Sequence, residues 1–198
     1  QKDTLIDKFG VPEGVVYVTG APQPIEISRI CEEIELRESN KLVDDASVLY
    51  CCSPENIFSG DVEIISRLLD DFPNLRFVVR LHPADTDYFR FDCLEEDPRI
   101  LLHKGSPGIR GASFLGSAHV EQFAKQLYAS RVVVCLGSTV ILDAMAAGVV
   151  PISLRFSLSQ GRDQVEPDFW YSQEHLRFLC GQLSFPIVDS YEQLSDCI

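Results

Sequence analysis

The sequence has no run of the roughly 18 or more apolar residues that a bilayer-spanning helix needs, and its first residues carry no signal-peptide pattern. It is short of basic residues: 17 Lys and Arg stand against 30 Asp and Glu, a formal net charge of −13 at pH 7. That balance argues against nucleic acid or an anionic membrane surface as the main partner, yet leaves room for one phosphate in a locally positive pocket. Neither GxGxxG nor GxxxxGK followed by Ser or Thr is present, which excludes the dinucleotide and P-loop fingerprints; no GxSxG elbow is present either. The seven cysteines include no CxxC and no Cys/His group at metal-ligand spacing. Cys51, Cys52 and Cys135 fall inside apolar runs and read as buried thiols of a reducing compartment. The chain opens on Gln, which suggests a processed piece from which a targeting segment could have been lost. The expected location is cytoplasmic, peripheral to the membrane in the full-length protein.

What is present is ordinary globular material: 198 residues, 45% hydrophobic and 24% charged. At about 150 residues per domain this is one domain with a surplus. Short apolar runs alternate with helical patterns. Strands are expected over 47–52, 75–81, 99–103, 131–136, 149–154 and 185–188. Helices are expected over 61–71, 119–130, 138–147 (closed by Gly148), 172–181 and from a capping box at Ser190 and Gln193. Residues 104–118 and 155–171 read as loops. Six nearly continuous apolar strands alternating with helices predict an α/β fold: a single doubly wound Rossmann-like domain with a six-stranded parallel sheet over 47–198. Residues 1–46 read as an N-terminal appendage or inter-domain segment, with a short strand over 15–20 and a charged helix over 25–39.

Ligands of an open parallel sheet bind beyond the carboxyl ends of its strands. Three groups there could hold an anion. Gly137-Ser138-Thr139 joins a buried strand to a helix, where small residues, two hydroxyls and the helix dipole favour a phosphate; the alternative is a plain helix cap. Arg80 and His82 are spaced by two, so they share a face at a strand end that Pro83 stops; the alternative is a strand cap and a surface ion pair. Asp143 lies one turn beyond Thr139 in an apolar segment. It needs a polar partner there, either a ribose diol or a local arginine. Asp85-Thr-Asp87 has the look of a DxD metal motif but lacks a third ligand, so no metal is expected.

Taken in order, these residues resemble a known family. Ser138-Thr-Val-Ile-Leu-Asp143-Ala-Met-Ala-Ala-Gly148-Val-Val-Pro151 resembles the nucleotide-sugar-binding helix of GT-B fold glycosyltransferases. Arg80-Leu-His82-Pro83 is similar to the His-Pro element of bacterial capsule, sialic acid and polyol-phosphate transferases. Val18-Thr-Gly-Ala-Pro22 and 186–194 resemble the segments that enter and close their C-terminal domain. The Gly148-to-Pro151 spacing is one residue longer than in the family, and Glu26 stands where an Asp is expected.

The resemblance implies that Ser138 and Thr139 hold the donor phosphate, with Arg80, Gly137 and His82 beside it. It also implies that His82 is the catalytic candidate and that Asp143 binds the ribose. The base is assigned to 100–106, with Lys104, Gly105 and Ser106 as its contacts. A CMP-, UDP- or GDP-linked sugar would be the substrate, with no further cofactor. The other implied partners are a carbohydrate or lipid-linked acceptor and an N-terminal domain carrying the rest of a two-domain, metal-independent enzyme, for instance one of surface-polysaccharide biosynthesis. Half of a nucleotide-sugar epimerase, or a non-catalytic interaction domain, are the competing expectations.

Overall fold

Six apolar segments pair side by side in the computed structural model, which describes residues 2–17, 21–37, 47–54, 57–85, 88–104, 117–158 and 167–198. They are β1 (Ser47–Cys51), β2 (Arg76–Arg80), β3 (Ile100–His103), β4 (Val132–Leu136), β5 (Val150–Leu154) and β6 (Ile187–Val188). All pairings are parallel, in the order β3-β2-β1-β4-β5-β6. This is the doubly wound order expected of a Rossmann-like domain. β1 and β4 sit at its centre, and every residue of both is buried.

Side chains alternate between the two faces, so each central strand feeds two cores. Val48, Tyr50 and Val134 pack with Ile64, Ile65 and Leu68 of α3 (Asp61–Asp71) and with Leu194 of α8 (Tyr191–Cys197). Leu49, Cys51, Val133 and Cys135 pack with α4 (Ser117–Tyr128) and α5 (Val140–Ala146) on the other face. Helix α2 (Pro22–Arg37) joins that second face, lying against α4 and α5. The sequence boundary at residue 46 separates α2 from the sheet. Even so, Ile27 and Ile30 enter the core that the strands build. Burying each isoleucine stabilises the packing by about 1.5–3 kcal/mol.

The expected strand over 15–20 does not form in its described part. Residues Glu13–Val15 make a 3₁₀ turn, Val16 and Tyr17 pair with no strand, and 18–20 lie outside the described residues. β-branched residues favour a strand only where a neighbour and a buried face exist. Here Val15 is 63% and Tyr17 80% exposed. A short helix α1 (Lys2–Phe9), which the sequence pattern had not marked, precedes this turn.

The segment over 155–171 is likewise not all loop: its end is α6 (Pro167–Ser172), followed by α7 (Glu174–Gln182). Proline suits the first helical position, and Tyr171 ties α6 to the sheet. Its hydroxyl donates to the Leu154 carbonyl at 2.7 Å and lies 2.7 Å from the Ser153 hydroxyl.

Gly148 closes α5 as expected. At φ +71° it takes a conformation that costs a side-chain-bearing residue dearly. Val149 N–H donates to Ala144 and Gly148 N–H to Met145, the paired bonds of a Schellman end. At Ser190 the hydroxyl accepts from Gln193 N–H, while the Gln193 side chain reaches back to Asp189 N–H. The cap therefore forms one residue out of register with the reciprocal box.

Candidate functional site

The strand order reverses between the paired strands β1 and β4, so the chain leaves them for α3 on one face and α5 on the other, and a crevice lies between these connections at the carboxyl ends. A cavity of about 430 Å³ opens at that point. Arg80, His82, Gly137, Ser138, Thr139 and Asp143 all line it, so six residues expected from three separate motifs come together. Lys104 does not join them: it pairs with Glu95 and Asp92. Gly105 and Ser106 lie outside the described residues.

Arg80 ends β2 beneath the cavity and is 7% exposed. The surface ion pair weighed for it from sequence is not seen among the described residues. Among the described residues its partners are neutral. It donates to Gln126 Oε1 at 2.8 Å and lies 3.3 Å from His103 Nδ1. It also contacts the His119 ring and stacks over the Phe123 ring at 4.6 Å. Burial lowers its pKa, though a guanidinium stays charged. Desolvating a cation without a counter-charge is costly, so this placement is one that an incoming anion would relieve.

His82 follows on the turn after β2. Its Nδ1 accepts from Ala84 N–H at 3.1 Å, which leaves Nε2 to carry the proton in the neutral ring. Desolvation outweighs the Asp85 carboxylate and lowers the His82 pKa, even though the ring edge is exposed. A neutral Nε2–H donor suits a phosphate oxygen.

The 137–139 turn is tighter than its sequence suggests. Gly137 sits at φ +26°, and a Cβ there would meet Trp170 Cβ at 2.9 Å. Glycine is thus required both by the backbone and by the indole packed over it. Much of the local donor capacity is spent internally. Gly137 N–H approaches the Tyr171 hydroxyl, and Ser138 N–H approaches the Cys135 sulfur. Val140 N–H donates to Ser138 Oγ at 3.3 Å. This is the cap weighed against the phosphate reading, and it leaves the Thr139 N–H and the two hydroxyls as the turn's means of holding an anion.

Asp143, 4% exposed, meets no arginine among the described residues. It accepts from Gln23 Nε2 at 2.8 Å. Burial raises its pKa to about 6, with the Gln23 bond pulling the other way. Near neutral pH it is chiefly a carboxylate and an acceptor for hydroxyl donors. Gln23, His119 and Trp170 also line the cavity and were not singled out from sequence. Gln23 arrives from α2, more than a hundred residues away in the chain, and His119 lies in the first turn of α4, which was read only for its apolar stripe.

A second polar cluster adjoins the cavity. Arg90 donates to Asp85 Oδ2 at 2.5 Å and to the Ser53 carbonyl at 2.9 Å, and lies 3.8 Å from Asp61. Asp61 in turn accepts from Tyr50 OH and Ser53 N–H, each at 3.0 Å. Asp85 is therefore engaged by Arg90, and no group of three metal-ligating side chains exists among the described residues. The network fastens the β1–α3 turn to the turn that carries His82.

The class defined by this architecture is a doubly wound, Rossmann-like α/β domain with a cavity at its topological switch. No family model and no curated protein matches the chain. Among solved structures it is similar to UDP-GlcNAc 2-epimerase from Neisseria meningitidis bound to UDP-GlcNAc, with a TM-score of 0.54 at 17% identity over 78% of this chain. It also matches the β-Kdo 2,4 transferase KpsC of Thermosulfurimonas dismutans at 12% identity over 88% of this chain, with a TM-score of 0.38. At these identities the first likeness shows the fold alone, and the second is too slight to carry an argument. The chain spans 42% of the epimerase and 56% of the transferase.

Proposed function

We propose that the chain is the donor-binding half of a two-domain, metal-independent GT-B glycosyltransferase, taking a nucleotide sugar in the cavity between β1 and β4. The single observation that carries this reading is Arg80: a buried guanidinium with no carboxylate partner among the described residues, on the wall of an open cavity. Its charge would stabilise a nucleotide phosphate as negative charge develops on the leaving group. His82 Nε2–H and the Ser138 and Thr139 hydroxyls would complete the phosphate's hydrogen bonds. Asp143 would exchange its bond from Gln23 for those of a ribose diol. The acceptor, carbohydrate or lipid-linked, and the base that activates it would belong to the other half. A surface-polysaccharide acceptor is the reading that the sequence resemblance favours. The solved epimerase that shares the fold holds a nucleotide sugar, which agrees with the class of ligand assigned here.

Calorimetric titration with CMP, CDP, UDP and GDP tests the reading. At least one should bind, and quenching of the chain's single tryptophan, Trp170, should report it independently, since the indole lines the cavity. Arg80→Met should weaken binding by about 2–5 kcal/mol, as expected when one member of a buried charge pair is removed. Ser138→Ala and His82→Ala should each cost about 1–2 kcal/mol. Silence from all four nucleotides at millimolar concentration would sink the proposal.

A further inference from the structure

We propose that His119 is part of the anion subsite: Arg80 and His119 together clasp one phosphate-sized dianion, and the imidazole takes up a proton as the anion enters. This rests on the phosphate reading of the cavity but not on the anion being a nucleotide. The geometry carries it. Both side chains line the same cavity, one from the end of β2 and one from the first turn of α4. They contact each other directly, with Arg80 Nη2 against the imidazole ring nitrogens.

A guanidinium can only donate, so the ring nitrogen it meets must accept and cannot be protonated. An anion offers Arg80 a better acceptor. Once the guanidinium turns its N–H groups to the anion, that nitrogen is released. It sits between a new negative charge and a cation that is now compensated. Protonation there adds a charge-assisted donor to the anion.

Among the described residues, two titratable groups act on the charge of His119, and both point the same way. Arg80 from β2 and His103 from β3 both hold its proton affinity down, and desolvation does so more strongly, leaving a pKa of about 4 without ligand. Asp143 and His82 share the cavity from α5 and the β2 turn. Anion entry reverses the Arg80 contribution, so the imidazole pKa rises on binding and protons are taken up. Affinity then increases as pH falls from the pKa in the complex towards about 4. Asp143, whose own pKa is about 6, also loses its charge in that window and needs a separate control.

Sulfate is the probe, because it stays a dianion throughout and does not itself titrate. Its affinity for the chain should rise about threefold to tenfold per pH unit between pH 7 and pH 5. Calorimetry in two buffers of different ionisation enthalpy should show proton uptake. The His119 imidazole signal in NMR should titrate at higher pH with sulfate than without it. His119→Gln, which keeps a polar side chain, should reduce the uptake in the wild-type chain and in an Asp143→Asn background alike. Uptake that His119→Gln leaves undiminished, or an imidazole signal that sulfate does not move, overturns the inference; so does the absence of any sulfate binding. The wild-type imidazole measurement decides the matter even if His119→Gln folds poorly. Should sulfate behave as described while all four nucleotides fail to bind, this inference stands and the nucleotide-sugar reading falls.

Discussion

Two arginines lie near the carboxyl end of β2, Arg80 buried and Arg90 largely so with its side chain 12% exposed, and they are treated oppositely. Arg90 is enclosed by Asp85, Asp61 and two backbone carbonyls. Arg80 has two imidazoles, an amide and an aromatic ring, with no carboxylate among the described residues. The first arrangement is electrically closed and can serve only to hold backbone in place. The second leaves a positive charge unspent beside an open cavity. A buried charge is weak evidence of stability in general, so what separates structure from function here is whether its counter-charge comes from the chain.

The strongest way to break the contrast is Arg90→Met. It removes the cation shared by two buried carboxylates and should destabilise the fold by about 3–5 kcal/mol, measured by denaturant unfolding at pH 8. The pH dependence follows from Asp61, whose pKa burial already raises to about 7 against the lowering pull of Arg90. A carboxyl whose folded pKa exceeds its unfolded value stabilises the fold when protonated and loses that contribution as pH rises through the folded pKa. With Arg90 gone, Asp61 titrates higher still. The deficit should therefore be full well above pH 7 and shrink as pH falls through and below it. A deficit that does not change with pH would mean that lost packing, not stranded charge, is the cost.

The contrast can also be erased from the other side. Gln126→Glu places a carboxylate 2.8 Å from the Arg80 guanidinium and makes Arg80 resemble Arg90. Stability should hold or rise slightly. Nucleotide or sulfate affinity should fall by about 1–2 kcal/mol, because the anion must now displace a charge-assisted hydrogen bond. Unaltered affinity would show that the cation's freedom is not what the site uses.

How much of this could be read from sequence depends on how local each signal is. The strands announced themselves because a parallel strand covered on both faces is a continuous apolar run. Gly148 and Ser190 did so because caps depend on a few neighbouring residues. Arg80, His82 and Ser138 were singled out by their places at strand ends and Asp143 by its place one turn into the helix that follows, a topological argument that needs no contacts, and all four line one cavity. The partners were not legible. That Gln23 would meet Asp143, or His119 meet Arg80, depends on how α2 and α4 settle on the sheet. The strand expected at 15–20 did not form in its described part for the same reason, since a strand needs an edge to join. Lys104 looked available only because Glu95 and Asp92 lie on a turn whose path the sequence does not show.

Arg155 supplies the smallest effect and the comparison's baseline. It too stands at a strand's carboxyl end, just beyond β5, where position alone would make it an anion-binding candidate. Yet it lies at the surface, with bidentate bonds to Asp189 at 2.5 and 2.7 Å and Asp168 3.8 Å away. Water screens such a pair, and exposed ion pairs contribute about 0.2–1 kcal/mol. Arg155→Ala should thus lower stability by less than about 1 kcal/mol, an effect that fades further in high salt, and should leave nucleotide affinity unchanged. A larger loss, or a loss of binding, would place the anion site nearer β5 than β2. Sharing a strand-end position would then matter more than lacking a counter-charge, and the distinction between Arg80 and Arg90 would lose its functional meaning.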